Sequence, residues 1–255
     1  MNTLLVCSKS TRDFLPEYKR IRIVSSAPTK DILDEVGTEE DVVAIGGGAV
    51  IDTAKILSKN PIVCYPTTAA GSSSTSWSVY WDGDKKCSIE RMLPRDVMII
   101  KNFTEELSDE VIINTTCDVV SHCLDSLCSK NANNQSINYC KEALDIIRNK
   151  KNNFNLIKAG NIAGKAIEIT GTNLLHSLSY PLTSHYGISH GKALGYFLPK
   201  LSKFMGYDID DIINFDIKLD VDVDIDFIID EALKYEKIYE FTNDINKNKL
   251  KEVLK

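Results

Sequence analysis

The chain has 255 residues, of which 43% are hydrophobic and 26% charged, with a net charge of −6. That balance excludes a disordered chain and leaves room for one large domain or two small ones. No apolar run approaches the ~20 residues that span a bilayer, and the scattered lysines and arginines offer no basic patch for nucleic acid.

The start, Met1 to Val6, has no basic region and enters a strand-like run directly, so no signal peptide and a cytoplasmic location are expected. Leu4-Leu5-Val6-Cys7 and Ile21-Arg22-Ile23-Val24 read as short strands. Thr29 to Val36 reads as a short helix, capped by Thr29 and Gly37. Asp41 to Ile45 is a continuous apolar run of buried-strand type, closed by Gly46-Gly47-Gly48, with a helix predicted from Val50 to Lys59. Pro61 to Tyr65 is the next strand, and Ala69 to Ser76 is a loop of small polar residues. Ser78 to Trp81 and Lys86 to Ile89 flank Asp82-Gly83 as a hairpin, and Val97 to Ile100 is a further strand. From about Glu105 helical patterns take over: Asp109–Cys128, Gln135–Arg148, Leu156–Thr170, Gly191–Phe204 and Ile225–Ile238. The expected division is an α/β domain over 1–106 and a helical domain over 107–255. The acidic tract Asp220–Asp226 lacks the glycine and final glutamate of a calcium loop and reads as a solvated edge.

Seven cysteines without a regular framework read as reduced, buried thiols. The triple glycine between a buried strand and a helix allows backbone N–H groups to approach a phosphate. The competing reading is a plain tight turn, since neither the dinucleotide nor the P-loop spacing is present. The loop Pro66-Thr67-Thr68-Ala69-Ala70-Gly71-Ser72-Ser73-Ser74 follows the next strand and would line the same crevice, unless it is only a surface loop. Lys85, Lys86 and Arg91 offer phosphate contacts or else a solvated hairpin. Asp118 and His122, four apart on one helix face, together with His176 and His190, make a mixed oxygen and nitrogen set suited to a borderline divalent ion. Taken singly, each histidine also reads as an ordinary core or surface residue.

Gly46-Gly47-Gly48-x-x-x-Asp52-x-Ala54-Lys55, then Pro66-Thr67-Thr68-Ala69, then Asp118-x-x-x-His122, then His176 and His190-Gly191, resemble in that order the iron-containing (group III) alcohol dehydrogenase family. Its superfamily includes glycerol dehydrogenases and dehydroquinate synthases. The resemblance covers roughly residues 40 to 200, and Leu178 to Gly191 looks like the branch with phosphonoacetaldehyde reductases. It implies an N-terminal Rossmann-like parallel-sheet domain for a dinucleotide, a C-terminal helical metal domain, and an active site in the cleft. Asp118, His122, His176 and His190 would be the metal ligands, with ferrous iron or alternatively zinc. Gly46, Gly47, Gly48, Asp52, Thr67, Thr68 and Ser73 would contact NAD or NADP. The implied activity is hydride transfer between the nicotinamide and a small aldehyde or alcohol, a phosphonate-bearing aldehyde among them. The implied partners are that substrate and a second copy of the chain, paired through the α/β half, with no nucleic acid and no membrane.

Several positions depart from the family. A histidine commonly found four residues after the third ligand is here Tyr180, whose phenol is a poorer proton relay near neutral pH. Tyr180 and His185 are the candidates for proton delivery; for His185 the plain reading is a partly exposed histidine. Gly71-Ser72-Ser73-Ser74 replaces the usual Gly-Thr-Gly-Ser-Glu, and Thr75 to Tyr80 is similar to the glycerol dehydrogenase version. Ser8 stands near the end of the first strand where an acid would favour NAD, which leaves NADP open. The chain is also shorter than most relatives. The alternative function is a reduced, non-enzymic paralogue; a dehydroquinate synthase-type lyase is disfavoured by Asp118 as the first ligand.

Overall fold

The computed structural model describes residues 2–104, 107–149, 152–213 and 217–254. The chain divides into two compact units, 1–107 with 152–164, and 108–151 with 165–255. The expected boundary at 106/107 adjoins residues 105 and 106, which lie outside the described residues.

The first unit is built on a parallel sheet. β1 (Leu4–Cys7), β2 (Arg20–Ile23), β3 (Val42–Gly46), β4 (Val63–Pro66) and, further on, β7 (Asp96–Val97) are arranged β2-β1-β3-β4-β7. β1 and β3 are buried along their whole length, as expected for strands covered on both faces. One face packs Val6, Val42 and Ala44 against Ile51, Ala54 and Leu57 of α1 (Gly48–Leu57). The other packs Leu5, Val43 and Ile45 against Tyr18, Tyr65 and Phe103. β2 is an edge strand protected by charge: Arg20 grips Glu39 through both carboxylate oxygens at 3.0 Å, and Arg22 pairs with Glu35. β5 (Trp77–Asp82) and β6 (Lys85–Glu90) form the expected antiparallel hairpin, a separate sheet. Arg91 after it donates to the carbonyls of Lys55 (3.2 Å) and Ser58 (2.8 Å), capping the end of α1.

Two expectations need adjustment here. Lys30–Glu35 is a 3-10 helix, because the seven residues between Thr29, whose hydroxyl makes no cap bond, and Gly37 at φ +65° are too few to propagate an α-helix. The strand expected at Val97–Ile100 is only Asp96–Val97, joined to β4 at Val63 and Cys64. Further along β4, Pro66 has no N–H to extend the ladder.

The helical part comprises α2 (Asp109–Leu127), α3 (Asn134–Asn149), α4 (Asn153–Thr170), α5 (Leu174–Tyr186), α6 (His190–Met205), α7 (Ile225–Ala232) and α8 (Lys247–Leu254). Ser108 caps α2, accepting from Val111 N–H, and Asp109 and Glu110 occupy its first turn, where negative charge suits the helix dipole. Residues 152–164 at the start of α4 belong to the first unit, whereas the sequence reading groups them with the helical half. The reason is close backbone packing: a Cβ on Gly160 would lie 2.3 Å from the carbonyl oxygen of Ala69. α7 stops at Ala232, short of the expected Ile238. Glu236–Glu240 instead forms a 3-10 turn that buries Ile238 and bonds Lys130 N–H to Glu240 O and Thr242 N–H to Cys128 O. Tertiary pairing overrides helical propensity there. α8 escapes sequence reading because it is short; Asn246 starts it, its side chain accepting from Lys249 N–H. Asp224 likewise caps α7, consistent with a solvated acidic tract.

Among the described residues no helix is long and apolar enough to cross a membrane. All seven cysteines are free, and six of them are buried; burial pushes the thiols of Cys64, Cys117 and Cys128 up to about 12. Ellman's reagent applied to the native protein should therefore label one thiol rapidly, half-buried Cys87 on the hairpin, and the others only after unfolding. Several rapid thiols in the folded protein would contradict this packing.

Candidate functional site

Three helices of the second unit bring one carboxylate and three imidazoles together. Asp118 and His122 lie one turn apart on α2, His176 lies in the first turn of α5, and His190 opens α6. Oδ1 of Asp118 is 3.4 Å from Nε2 of His122, 3.5 Å from Nε2 of His176 and 3.8 Å from Nε2 of His190. The ligand atoms of Asp118, His176 and His190 all lie within 4.8 Å of one another. The His122 and His176 rings are parallel, 6° apart with centroids at 4.9 Å. The approach of α6 to α2 rests on Gly191, where a Cβ would lie 2.3 Å from the carbonyl oxygen of Asn114.

The cluster's electrostatics point to a cation. Asp118, His122 and His176 are each less than a tenth exposed. Oδ1 of Asp118 and Nε2 of His176 are buried without a hydrogen-bond partner although they face each other. A buried electron-rich atom left so is costly unless something between them carries positive charge. A tetrahedral shell with bonds of about 2.1 Å has edges of about 3.4 Å, close to the three separations at Asp118. The residues therefore fit a divalent metal of borderline hardness. Burial opposes ionisation of Asp118, but the neighbouring imidazoles prevail and hold its carboxyl well below the usual range. Burial likewise lowers the basicity of His176, and the carboxylates of Asp118 and Asp125 more than reverse it.

The two proton-delivery candidates separate. Tyr180, one turn after His176, packs against the cluster: its ring stacks on His190 at 6.0 Å and meets Tyr235 edge-on at 5.2 Å. Burial raises its phenol above the ordinary value. His185 is exposed, its ring against Phe227. Nine residues beyond His176, it lies about 14 Å further along the helix axis.

In the first unit the glycine turn and the threonine–serine loop touch. A Cβ on Gly47 would meet Thr68 Oγ1 at 3.0 Å, and one on Gly48 would meet Ser72 Oγ at 3.2 Å. Gly46 has φ +157°, and a Cβ there would strike Val50 at 2.7 Å. Thr67 N–H donates to Gly46 O at 3.0 Å, and Thr11, after β1, donates its hydroxyl to Ile45 O at 2.8 Å. The ends of β1, β3 and β4 are thus tied around the N-terminus of α1, the end of a helix where its dipole is positive. Asp52 turns inward: it is buried and ion-paired with Lys55 at 3.3 Å. Lys55 Nζ also donates to the carbonyls of Ser72 (3.1 Å), Thr75 (3.2 Å) and Trp77. Ser73 is buried too, its hydroxyl accepting from Asn161 of α4 at 3.1 Å.

Residues 112–250 match the family model for the C-terminal region of the Fe-containing alcohol dehydrogenase family, more than half of the chain. The chain belongs to the Fe-containing alcohol dehydrogenase family. Relatives include a 4-hydroxybutyrate dehydrogenase of Clostridium kluyveri, 26% identical over 68% of this chain and 57% of that protein. A phosphonoacetaldehyde reductase of Streptomyces viridochromogenes is 25% identical over 64% of this chain and 52% of that protein. The chain thus spans little more than half the length of these two relatives. Among solved structures, a sulfoacetaldehyde reductase from Bifidobacterium kashiwanohense in complex with NAD+ superposes with a TM-score of 0.85 at 20% identity, over 99% of this chain and 90% of that one, a likeness of fold.

In this family member, sequence reading passed over Asp125, Asn173, Asn161 and the two glycines of α4. Asp125 is fully buried, and its Oδ2 accepts from Nδ1 of His176 at 2.8 Å. The available signal was position: seven residues after Asp118 and three after His122, it shares their helix face. Gly160 and Gly164 sit four apart, a small-residue face; a Cβ on Gly164 would lie 2.7 Å from Gly71 O. Gly160→Ala should cost about 1–3 kcal/mol through overpacking and lower the thermal midpoint. An unchanged midpoint would contradict the close approach of α4 to the Ala69 loop.

Proposed function

We propose that this chain is a metal-dependent, NAD(P)-linked alcohol dehydrogenase or aldehyde reductase acting on a small aldehyde or alcohol. The observation that supports this reading is that Nε2 of His122, His176 and His190 each lies 3.4 to 3.8 Å from Oδ1 of Asp118, with Asp118, His176 and His190 mutually close, in a member of this family. These four are proposed as the ligands of ferrous iron, with zinc as the alternative. When bound, the ion supplies a Lewis acid toward the carbonyl oxygen and the nicotinamide supplies the hydride. Asp118 contributes one negative charge and the three imidazoles none, so the group as a whole stays electrophilic. Tyr180, stacked on His190 with its phenol raised by burial, is the proposed residue for proton delivery. The exposed position of His185 against Phe227 gives no support to its role in proton delivery.

Gly46, Gly47 and Gly48 are proposed to present backbone N–H groups to the cofactor pyrophosphate, with Thr67 and Thr68 alongside. Asp52 and Ser73 are proposed with them on the cofactor side, held in place by Lys55 and Asn161 respectively. Ser8 bonds to Ser10 and Thr11 and brings no acid, so both NADH and NADPH are candidates. The same proposal includes a nucleotide domain over 1–106, with residues 152–164 packed onto it, a metal domain over the rest of 107–255, a cytoplasmic location and a homodimer. The names of the three relatives reported above each carry an acidic group on a short chain, which favours a short aldehyde ending in a carboxylate, phosphonate or sulfonate.

The test is purified protein loaded with Fe2+ or Zn2+, metal quantified, and both reduced nicotinamides offered with short aldehydes, plain and acid-bearing. Nicotinamide absorbance should fall only in loaded protein, and His176→Ala should retain no stoichiometric metal. Absence of stoichiometric divalent metal in the parent protein at neutral pH would overturn the ligand assignment. Metal and nucleotide binding without turnover of any aldehyde would favour the non-enzymic alternative.

A further inference from the structure

Asp125 lies outside the four proposed ligands, yet it is the most heavily used buried carboxylate beside them. Its side chain is fully buried in α2. Oδ2 accepts from Nδ1 of His176 at 2.8 Å, from Asn173 N–H at 2.9 Å and from His176 N–H at 3.3 Å, and Oδ1 accepts from Leu175 N–H at 2.9 Å. Asn173 returns the contact, donating its side-chain amide to the backbone carbonyl of Asp125 at 2.7 Å. One carboxylate thus holds the first turn of α5 by three backbone N–H groups and grips the ring of the histidine in that turn.

Both effects bear on the same atom. An ionised carboxylate accepts only, so the proton shared with His176 resides on Nδ1. The neutral ring then carries its lone pair on Nε2, the atom that faces Asp118 Oδ1 at 3.5 Å. The three backbone bonds fix where α5 begins, and with it the direction in which the ring points. A carboxylate at the N-terminus of a helix also complements the helix dipole.

We infer that Asp125 is the positioning residue of the metal centre, holding His176 in the Nδ1–H tautomer with Nε2 aimed at the ion. Resting on the metal-site reading above, the inference adds a residue that touches neither ion nor substrate. Outer partners of this kind typically govern metal affinity about 10–100-fold.

The experiment compares the parent protein with Asp125→Asn, Asp125→Ala, Asp118→Asn and Leu250→Ala, the last removing a buried side chain from α8. Three readouts apply: the Zn2+ dissociation constant in competition with a chromogenic chelator, the Co2+ absorption spectrum, and the histidine ring nitrogens by NMR in metal-free protein at a pH where imidazole is neutral. With four histidines in the chain, His176 is assigned by its absence from His176→Ala. The parent should show His176 protonated at Nδ1. Asp125→Asn should weaken Zn2+ by about 10–100-fold, alter the Co2+ spectrum and mix the tautomers. Leu250→Ala should lower stability and leave all three readouts of the folded protein unchanged. Should Asp125→Ala fail to fold, Asp125→Asn, which keeps the shape, carries the test. Parent-like affinity and tautomer in Asp125→Asn, with metal lost in Asp118→Asn, would overturn the positioning role alone. Parent-like affinity in Asp118→Asn as well would overturn the metal-site reading on which it rests.

Discussion

A carboxylate oxygen with no hydrogen-bond partner, surrounded by three imidazole nitrogens at 3.4 to 3.8 Å, governs the helical unit. Burying such a group costs free energy unless positive charge arrives with it. The helices accept this cost and add to it. α6 reaches α2 at backbone distance only because Gly191 lacks a side chain. α5 contains Pro181 and α6 contains Pro199, each removing an interior N–H, yet both helices continue. Asn173, fully buried and outside ordinary helical geometry at the start of α5, bonds both to its own helix and to α2. These features make sense together if the unit is shaped to present His176 and His190 to Asp118, with a cation supplying the missing charge.

The sheet unit solves a different problem, holding a loop of small residues in a fixed shape. Lys55 is buried, a position a lysine rarely occupies without partners. Here it has the Asp52 carboxylate and three loop carbonyls. The ammonium replaces water for backbone groups that the serine-rich loop would otherwise leave exposed. Asn161 and the glycines of α4 support that loop from another side. Asp52 and Ser73 take part in this network, while Gly46, Gly47 and Gly48 let the turn pack closely against Val50, Thr68 and Ser72. The departure of Gly71-Ser72-Ser73-Ser74 from the family pattern falls on residues that this internal network employs.

Legibility in the sequence follows the distance over which each signal acts. The pairing of Asp118 with His122, the buried strands Leu4–Cys7 and Val42–Gly46, and the glycine turn are local patterns, and each stands where the sequence indicates. His176 and His190 carry no local signal for one another, and only the order of motifs joins them. Asp125 was hidden because its partners lie 48 to 51 residues away. Gly160 and Gly164 look like weak spots in a helix until the Ala69 and Gly71 backbones are placed against them. The 3-10 turns at Lys30–Glu35 and Glu236–Glu240 arise from short spans and tertiary pairing, which periodicity does not register.

The central claim is that a divalent ion belongs among one carboxylate and three imidazoles, with none of the seven cysteines involved. X-ray absorption at the metal edge of stoichiometrically loaded protein reads that shell directly. The account predicts a shell of nitrogen and oxygen only, with outer-shell scattering from three imidazole rings. A sulfur ligand, or scattering from fewer than two imidazoles, would contradict it.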